Sequence, residues 1–148
     1  MTLAKSNRSA LVAESGRKPY GVDISVRRHN LTADEPIGLG GQDYGPDPFE
    51  ILLSALGACT AMTVRMYADR KGWPLDRVSV RVVQTVRAGG VGGAADRFER
   101  TVFLDGELSL EQRARLMEIA ARCPVGETLK RGAETPVVAA PSPPEPAV

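Results

Sequence analysis

An α+β fold, with a mixed sheet rather than a doubly wound parallel one, is what this sequence predicts. Three observations carry it. A strand period of alternating apolar and polar residues opens the chain and returns in its middle, and a long apolar helical pattern, PFEILLSALGACTAMTVRMYADRK, lies between the two. A second, capped helical pattern follows. The 148 residues, 43% hydrophobic and 25% charged, suffice for one domain with a proper core, taken as residues 1–140, followed by a disordered proline-rich tail at 141–148.

Residues 9–16 and 20–33 alternate, with Val22, Ile24 and Val26 set against Asp23, Ser25 and Arg27 and a break at Lys18-Pro19-Tyr20-Gly21. A β-hairpin or meander is expected there. From Asp34 to Pro48 a Gly/Pro-rich loop, long enough to be functional, delivers the chain into the first helix with Asp47 as N-cap and Pro48 at the first helical position. The helix is expected to run to about Lys71, where Gly72 supplies the C-cap and Pro74 forbids continuation. Ile51, Leu52, Leu53, Ala55, Leu56, Ala58, Met62, Val64 and Met66 cover nearly its whole circumference. A helix apolar all round has to be buried all round, so a partner subunit is expected to cover it.

Strand patterns return at 76–88 and 97–104, and Gly89 to Gly93 reads as their hairpin connection. It lacks the Gly-Lys-Ser/Thr of a phosphate loop and does not lead from strand to helix. Ser109 and Gln112 form a capping box for a helix with Leu110, Ala114, Met117 and Ala121 at helical spacing, ended by Pro124. A helical turn over 126–130 and a last strand, Thr135 to Ala139, are expected before the tail PSPPEPAV. That tail has too many prolines to pack.

A net charge of +1 comes from 19 basic and 18 acidic residues spread along the chain. No basic stripe points to nucleic acid or an anionic membrane. The first residues lack the apolar core of a signal sequence, and no apolar run is read as reaching the roughly 18 residues that cross a bilayer. A cytoplasmic protein is expected, in which thiols stay reduced unless they work in redox chemistry.

Cys59 and Cys123 are the residues with chemistry to offer. No C-x-x-C spacing exists, so neither a zinc ribbon nor a thioredoxin-type motif is available and no metal is expected. A thiol reacts as thiolate, and Cys59, far from the start of its own helix, needs a neighbouring cation to become one. Arg17, Arg27 and Arg28 on the opening strands are the candidates, together with Arg65. Cys123 is better placed, because Pro124 makes it the N-cap of the next helical turn, beside unpaired backbone N–H groups. Each cysteine also reads as a small core residue among Leu, Ala and Met, and spacing alone leaves both readings open.

The run from Gly45 to Thr63, GPDPFEILLSALGACTAMT, with Cys123-Pro124-Val125 further on, resembles the OsmC/Ohr family. The similarity extends from His29 to Leu129. The resemblance implies an OsmC-like fold, a mixed β-sheet with a long buried central helix, in an intertwined homodimer with active sites at its interface. It implies reduction of organic hydroperoxides or hydrogen peroxide without a bound cofactor. Cys59 would be the peroxidatic thiolate, oxidised to a sulfenic acid, and Cys123 the resolving thiol that closes a disulfide. A dithiol or lipoyl-type reductant would restore both. The family's peroxidases pair an arginine with a glutamate at the position held here by Phe49. Glu50, the next residue, turns to the helix face opposite Cys59 and reads as a first-turn dipole partner. His29 begins a segment, His-Asn-Leu-Thr-Ala-Asp-Glu-Pro, like that of the less characterised OsmC-like branch, and is a further candidate thiolate partner or acid/base. Two other readings stand beside this one. In one, a dimeric protein binds a small hydrophobic ligand in the interfacial cleft, its cysteines vestigial or merely sensing oxidation; the other, acyl or thioester hydrolysis by Cys59 and His29, lacks an orienting third residue.

Overall fold

The opening alternation folds as an antiparallel meander of three strands, β1 (Leu11–Glu14), β2 (Val22–Val26) and β3 (His29–Ala33), in that spatial order. These observations come from a computed structural model that describes residues 7–87, 89, 93 and 95–142. Val26 pairs with His29, so Arg27 and Arg28 form a two-residue turn, and Arg27 takes the positive φ of 54° that such turns favour. The meander belongs to the first of two compact units, Met1–Ile51 with Val137–Val148.

The loop after β3 is held from inside by Asp34, which is 3% exposed. Its carboxylate accepts the backbone N–H groups of Glu35 (2.8 Å), Gln42 (3.1 Å) and Tyr44 (3.2 Å). Burial raises its pKa, but those N–H groups and the charge of Arg17 outweigh burial and bring it below the usual carboxylate value. Gly41 and Gly45 are required by close approach, since a Cβ would run into the carbonyls of Glu35 and Thr32. Tyr20, Val22, Ala33, Asp34, Glu35, Leu39 and Pro48 line a surface cavity of about 430 Å³ in this unit.

Helix α1 (Pro48–Lys71) starts and stops on the signals read from the sequence. Asp47 accepts the N–H of Glu50 and the Glu50 carboxylate accepts the N–H of Asp47, both at 2.8 Å, a reciprocal box that fixes Glu50 at the helix start. At the other end Gly72 has φ 66°, with Gly72 N–H bonded to Asp69 O and Trp73 N–H to Ala68 O, the pattern of a glycine-ended helix. Within this chain α1 is not buried all round. Leu56, Thr60, Val64 and Ala68, one residue per turn, are buried, while Met62 and Met66 are 59% and 65% exposed. By length and composition alone α1 is also apolar enough to cross a membrane, against the expectation that no run here reaches that length. Its buried stripe and the Arg65 guanidinium, which donates to the carbonyls of Leu75 (2.7 Å) and Asp76 (3.2 Å), tie it into a protein core instead.

The second unit, Leu52–Pro136, packs α1 with an antiparallel pair, β4 (Arg77–Val86) and β5 (Arg97–Asp105), and with α2 (Leu110–Ala120) and α3 (Pro124–Arg131). The chain is therefore α+β, its described strands arranged as two small antiparallel sheets. The glycine-rich connection between β4 and β5 lies partly outside the described residues, as does the tail from residue 143. Val64, Ala68, Leu75, Leu116 and Ala120 form the core, closed by Tyr67, Trp73, Val78, Val102, Leu104 and Leu108.

Two expectations fail here for identifiable reasons. The Ser109–Gln112 capping box is present, but Leu116 and Ala120 are the buried residues of α2, while Leu110 and Met117 are 86% and 44% exposed. Arg113 fixes that rotation by donating to the carbonyls of Leu104 (2.7 Å) and Gly106 (2.8 Å). Thr135 to Ala139 form no strand, because no described strand offers them a ladder, and Val137 and Val138 are 97% and 86% exposed.

Candidate active site at the start of helix α3

Pro124 at the first helical position leaves the N–H groups of the next two residues of α3 free, and each points at a cysteine sulfur. Cys123, the N-cap, accepts the Gly126 N–H on its own Sγ at 3.3 Å. Cys59 comes in from α1, and its Sγ accepts the Val125 N–H at 3.4 Å. Chain positions far apart thus meet at one helix N-terminus, whose dipole favours negative charge on either sulfur. Cys59 is partly exposed, Cys123 is fully buried, and both are free thiols.

Cys123 has two further partners. The Thr60 hydroxyl lies 3.3 Å from its Sγ and 2.8 Å from Leu56 O, and its single proton serves one of the two at a time. Arg100 Nη1 lies 3.4 Å from the same sulfur, 3.0 Å from Thr60 Oγ1 and 3.1 Å from Ala120 O. Burial pushes the Cys123 pKa up. Hydrogen bonds from Thr60, the Gly126 N–H and Cys59, with the charge of Arg100, reverse that and hold it below the ordinary thiol value. A recess of about 120 Å³ lined by Thr60, Arg100, Val102, Met117, Ala120 and Ala121 opens beside the guanidinium. Gly126 is tightly set, since a Cβ there would stand 3.1 Å from Cys123 Sγ and 3.2 Å from Arg100 Nη1.

The candidate partners of Cys59 make the following contacts within their own units. Arg17 pairs with Asp23 and lies over the Tyr44 ring, Arg27 and Arg28 make the β2–β3 turn, and His29 is exposed at the start of β3, all within the first unit. Arg65 braces α1 against the start of β4. The arginine that does reach a thiol, Arg100, carried a legible signal. In β5 the inward positions are Phe98, Arg100, Val102 and Leu104, so a charged residue stands where the strand period demands an apolar one. Among the described residues no three His, Cys, Asp or Glu side chains converge as a metal cage.

A family model described as OsmC-like protein matches residues 40–137, well over half of the chain. No curated protein matches. Among solved structures, an OsmC-like protein from Mycoplasma pneumoniae is similar at TM-score 0.71 and 18% identity, covering 86% of this chain and 89% of that one. An organic hydroperoxide resistance protein OsmC from Legionella pneumophila is similar at TM-score 0.61 and 20% identity, covering 86% and 91%. Another organic hydroperoxide resistance protein, from Elizabethkingia anophelis with thiocyanate bound, gives TM-score 0.66 at 17% identity, covering 86% and 91%. At these identities the likeness is one of fold.

Proposed function

The chain belongs to the OsmC-like protein family, and on that footing we propose that it is a peroxide-defence protein of the cytoplasm, a thiol-dependent peroxidase acting on organic hydroperoxides or hydrogen peroxide. The observation that carries the reading is the convergence of a partly exposed and a buried thiol on the N-terminus of α3. Cys59, the accessible one, attacks the peroxide oxygen. The O–O bond breaks, the departing alkoxide takes a proton and leaves as alcohol, and Cys59 becomes a sulfenic acid. Cys123, whose lowered pKa favours the thiolate, then attacks the Cys59 sulfur. Hydroxide leaves as water and a Cys59–Cys123 disulfide remains. A dithiol or lipoyl-type reductant supplies two electrons by exchange and is itself oxidised to a disulfide. A second copy of the chain covers the exposed side of α1 at Met62 and Met66.

One observation favours a second reading, a dimeric binding or oxidation-sensing protein without efficient turnover. Phe49 is half exposed where the family's peroxidases carry a glutamate, and the Glu50 carboxylate next to it closes the capping box with Asp47. Mass spectrometry after organic hydroperoxide treatment decides. Wild type should lose about 2 Da and Cys123→Ser should gain about 16 Da or more, while Cys59→Ser should show no turnover. Oxidation of Cys123 with Cys59 still reduced would reverse the assigned order. Both thiols staying reduced would leave the binding reading.

A further inference from the structure

Arg100 is a cation without a carboxylate. Its half-buried guanidinium projects from the inner face of β5, opposite Val82, and among the described residues no Asp or Glu pairs with it. Its Nη1 instead meets Thr60 Oγ1, Ala120 O and Cys123 Sγ. Of these three only the sulfur can carry a negative charge. That sulfur is fully buried and receives two more donors, the Thr60 hydroxyl and the Gly126 N–H, both at 3.3 Å.

We propose that Arg100 sets the redox poise of the cysteine pair: its charge is balanced by the Cys123 thiolate in the reduced protein and left unbalanced in the Cys59–Cys123 disulfide, which is thereby made easier to reduce. The proposal rests on the reading of the two cysteines as a redox couple. It does not depend on peroxide being the oxidant.

When an external dithiol reduces the protein disulfide it gives up two electrons and two protons. Cys59 takes one proton. Cys123 takes none while it stays a thiolate, so the second proton goes to solvent and the guanidinium regains its counter-ion. Withdrawn from water, that pairing is stronger than between surface groups, and breaking it by removing one partner costs more. Stabilising the reduced form of a dithiol pair raises its reduction potential. The lowered pKa of Cys123 has the sign that this pairing requires.

The test equilibrates the full chain with mixtures of reduced and oxidised dithiothreitol and counts free thiols by alkylation and mass. Arg100→Gln keeps a hydrogen-bond donor without the charge and should shift the equilibrium about tenfold toward the disulfide, a potential about 30 mV more negative. Arg100→Lys keeps the charge and should restore most of the difference. The pH dependence separates a charge role from a structural one. Each proton taken up on reduction lowers the potential of the pair by about 30 mV per pH unit, so the wild-type potential should fall by about 30 mV and that of Arg100→Gln by about 60 mV; against dithiothreitol, which gives up two protons of its own, the wild-type equilibrium should therefore move about tenfold per pH unit and that of Arg100→Gln hardly at all. Should Arg100→Gln fail to fold, Thr60→Val removes a thiolate donor while leaving the charge, and should move the potential the same way by less. An unchanged potential and pH slope in whichever of these variants folds would overturn the proposal, as would Arg100→Lys behaving like Arg100→Gln. If wild type forms no disulfide even with a strong thiol oxidant such as diamide, the redox-couple reading falls and this one with it. A normal equilibrium in a protein that consumes no peroxide would remove the peroxidase reading alone and leave the role of Arg100 standing.

Discussion

Replacing Gly126 with alanine sets two known effects against each other at one atom. Gly126 is the third residue of α3, and alanine inside a helix is worth about 0.5–1 kcal/mol over glycine. The added Cβ, however, would stand 3.1 Å from Cys123 Sγ and 3.2 Å from Arg100 Nη1, closer than ordinary contact, so one of them must retreat by a few tenths of an ångström. Overfilling a packed site costs about 1–3 kcal/mol, which offsets the helix gain and leaves a net loss of up to about 2.5 kcal/mol. In a chain of this length that lowers the melting temperature by a few degrees, at about 2–4 °C per kcal/mol. Displacing the sulfur also weakens the Gly126 N–H bond and the Arg100 contact, so Cys123 should be alkylated more slowly at neutral pH. Gly38→Ala is the control, since its Cβ would meet nothing and its loss of chain freedom should be neutral or slightly stabilising. Thermal melts of the reduced proteins and alkylation rates of Cys123 read both effects. A Gly126→Ala protein stabilised by the full helix gain, with unchanged thiol reactivity, would refute the reasoning.

Asp34 has a depressed folded-state pKa, so its contribution is fully present above the unfolded value of about 3.9 and is lost as pH falls through the folded value. Wild type should therefore lose stability more steeply than Asp34→Asn below about pH 4. At neutral pH the variant should be the weaker one, since an amide NH₂ would face backbone donors. Sedimentation at low micromolar concentration should show a folded dimer and no folded monomer, as an interface of about 2,000 Å² or more implies; a folded monomer would remove the proposed second copy. Ending the chain after Ala140 should leave the melting temperature within error, because the proline-rich tail cannot sustain helix or ladder bonding. A loss of several degrees would show that it docks.

Signals written in neighbouring residues were legible in the sequence. Asp47 ahead of Pro48, Ser109 with Gln112, Gly72 after Lys71, and Cys123 ahead of Pro124 each lie within a few residues of the groups they satisfy, and all four do so in the structure. Features set by tertiary packing were not. Thr135 to Ala139 have the composition of a strand, but a strand exists only where another backbone answers it. The buried side of α2 is set by Arg113 reaching one carbonyl at the end of β5 and one just past it, which spacing within the helix does not record. Arg100 did not stand out as a partner for Cys123, because it reaches that sulfur only through the register of β4 and β5, which turns its position inward. Dipole help for Cys59 was likewise judged from its own helix, and comes from the start of α3.

Thr60 carries one hydroxyl proton for two acceptors, Leu56 O and Cys123 Sγ, both reached from a single oxygen position. In the proposed cycle the sulfur is a strong acceptor while reduced and a poor one once bonded to Cys59. The proton can turn from the sulfur to the carbonyl without any heavy atom moving, so the hydroxyl keeps a partner in both halves of the cycle. A valine of the same shape would leave the thiolate one donor short in the reduced form, and a group with a single fixed donor direction would be stranded in the oxidised one. A buried hydroxyl with a spare acceptor therefore tolerates a charge that comes and goes beside it.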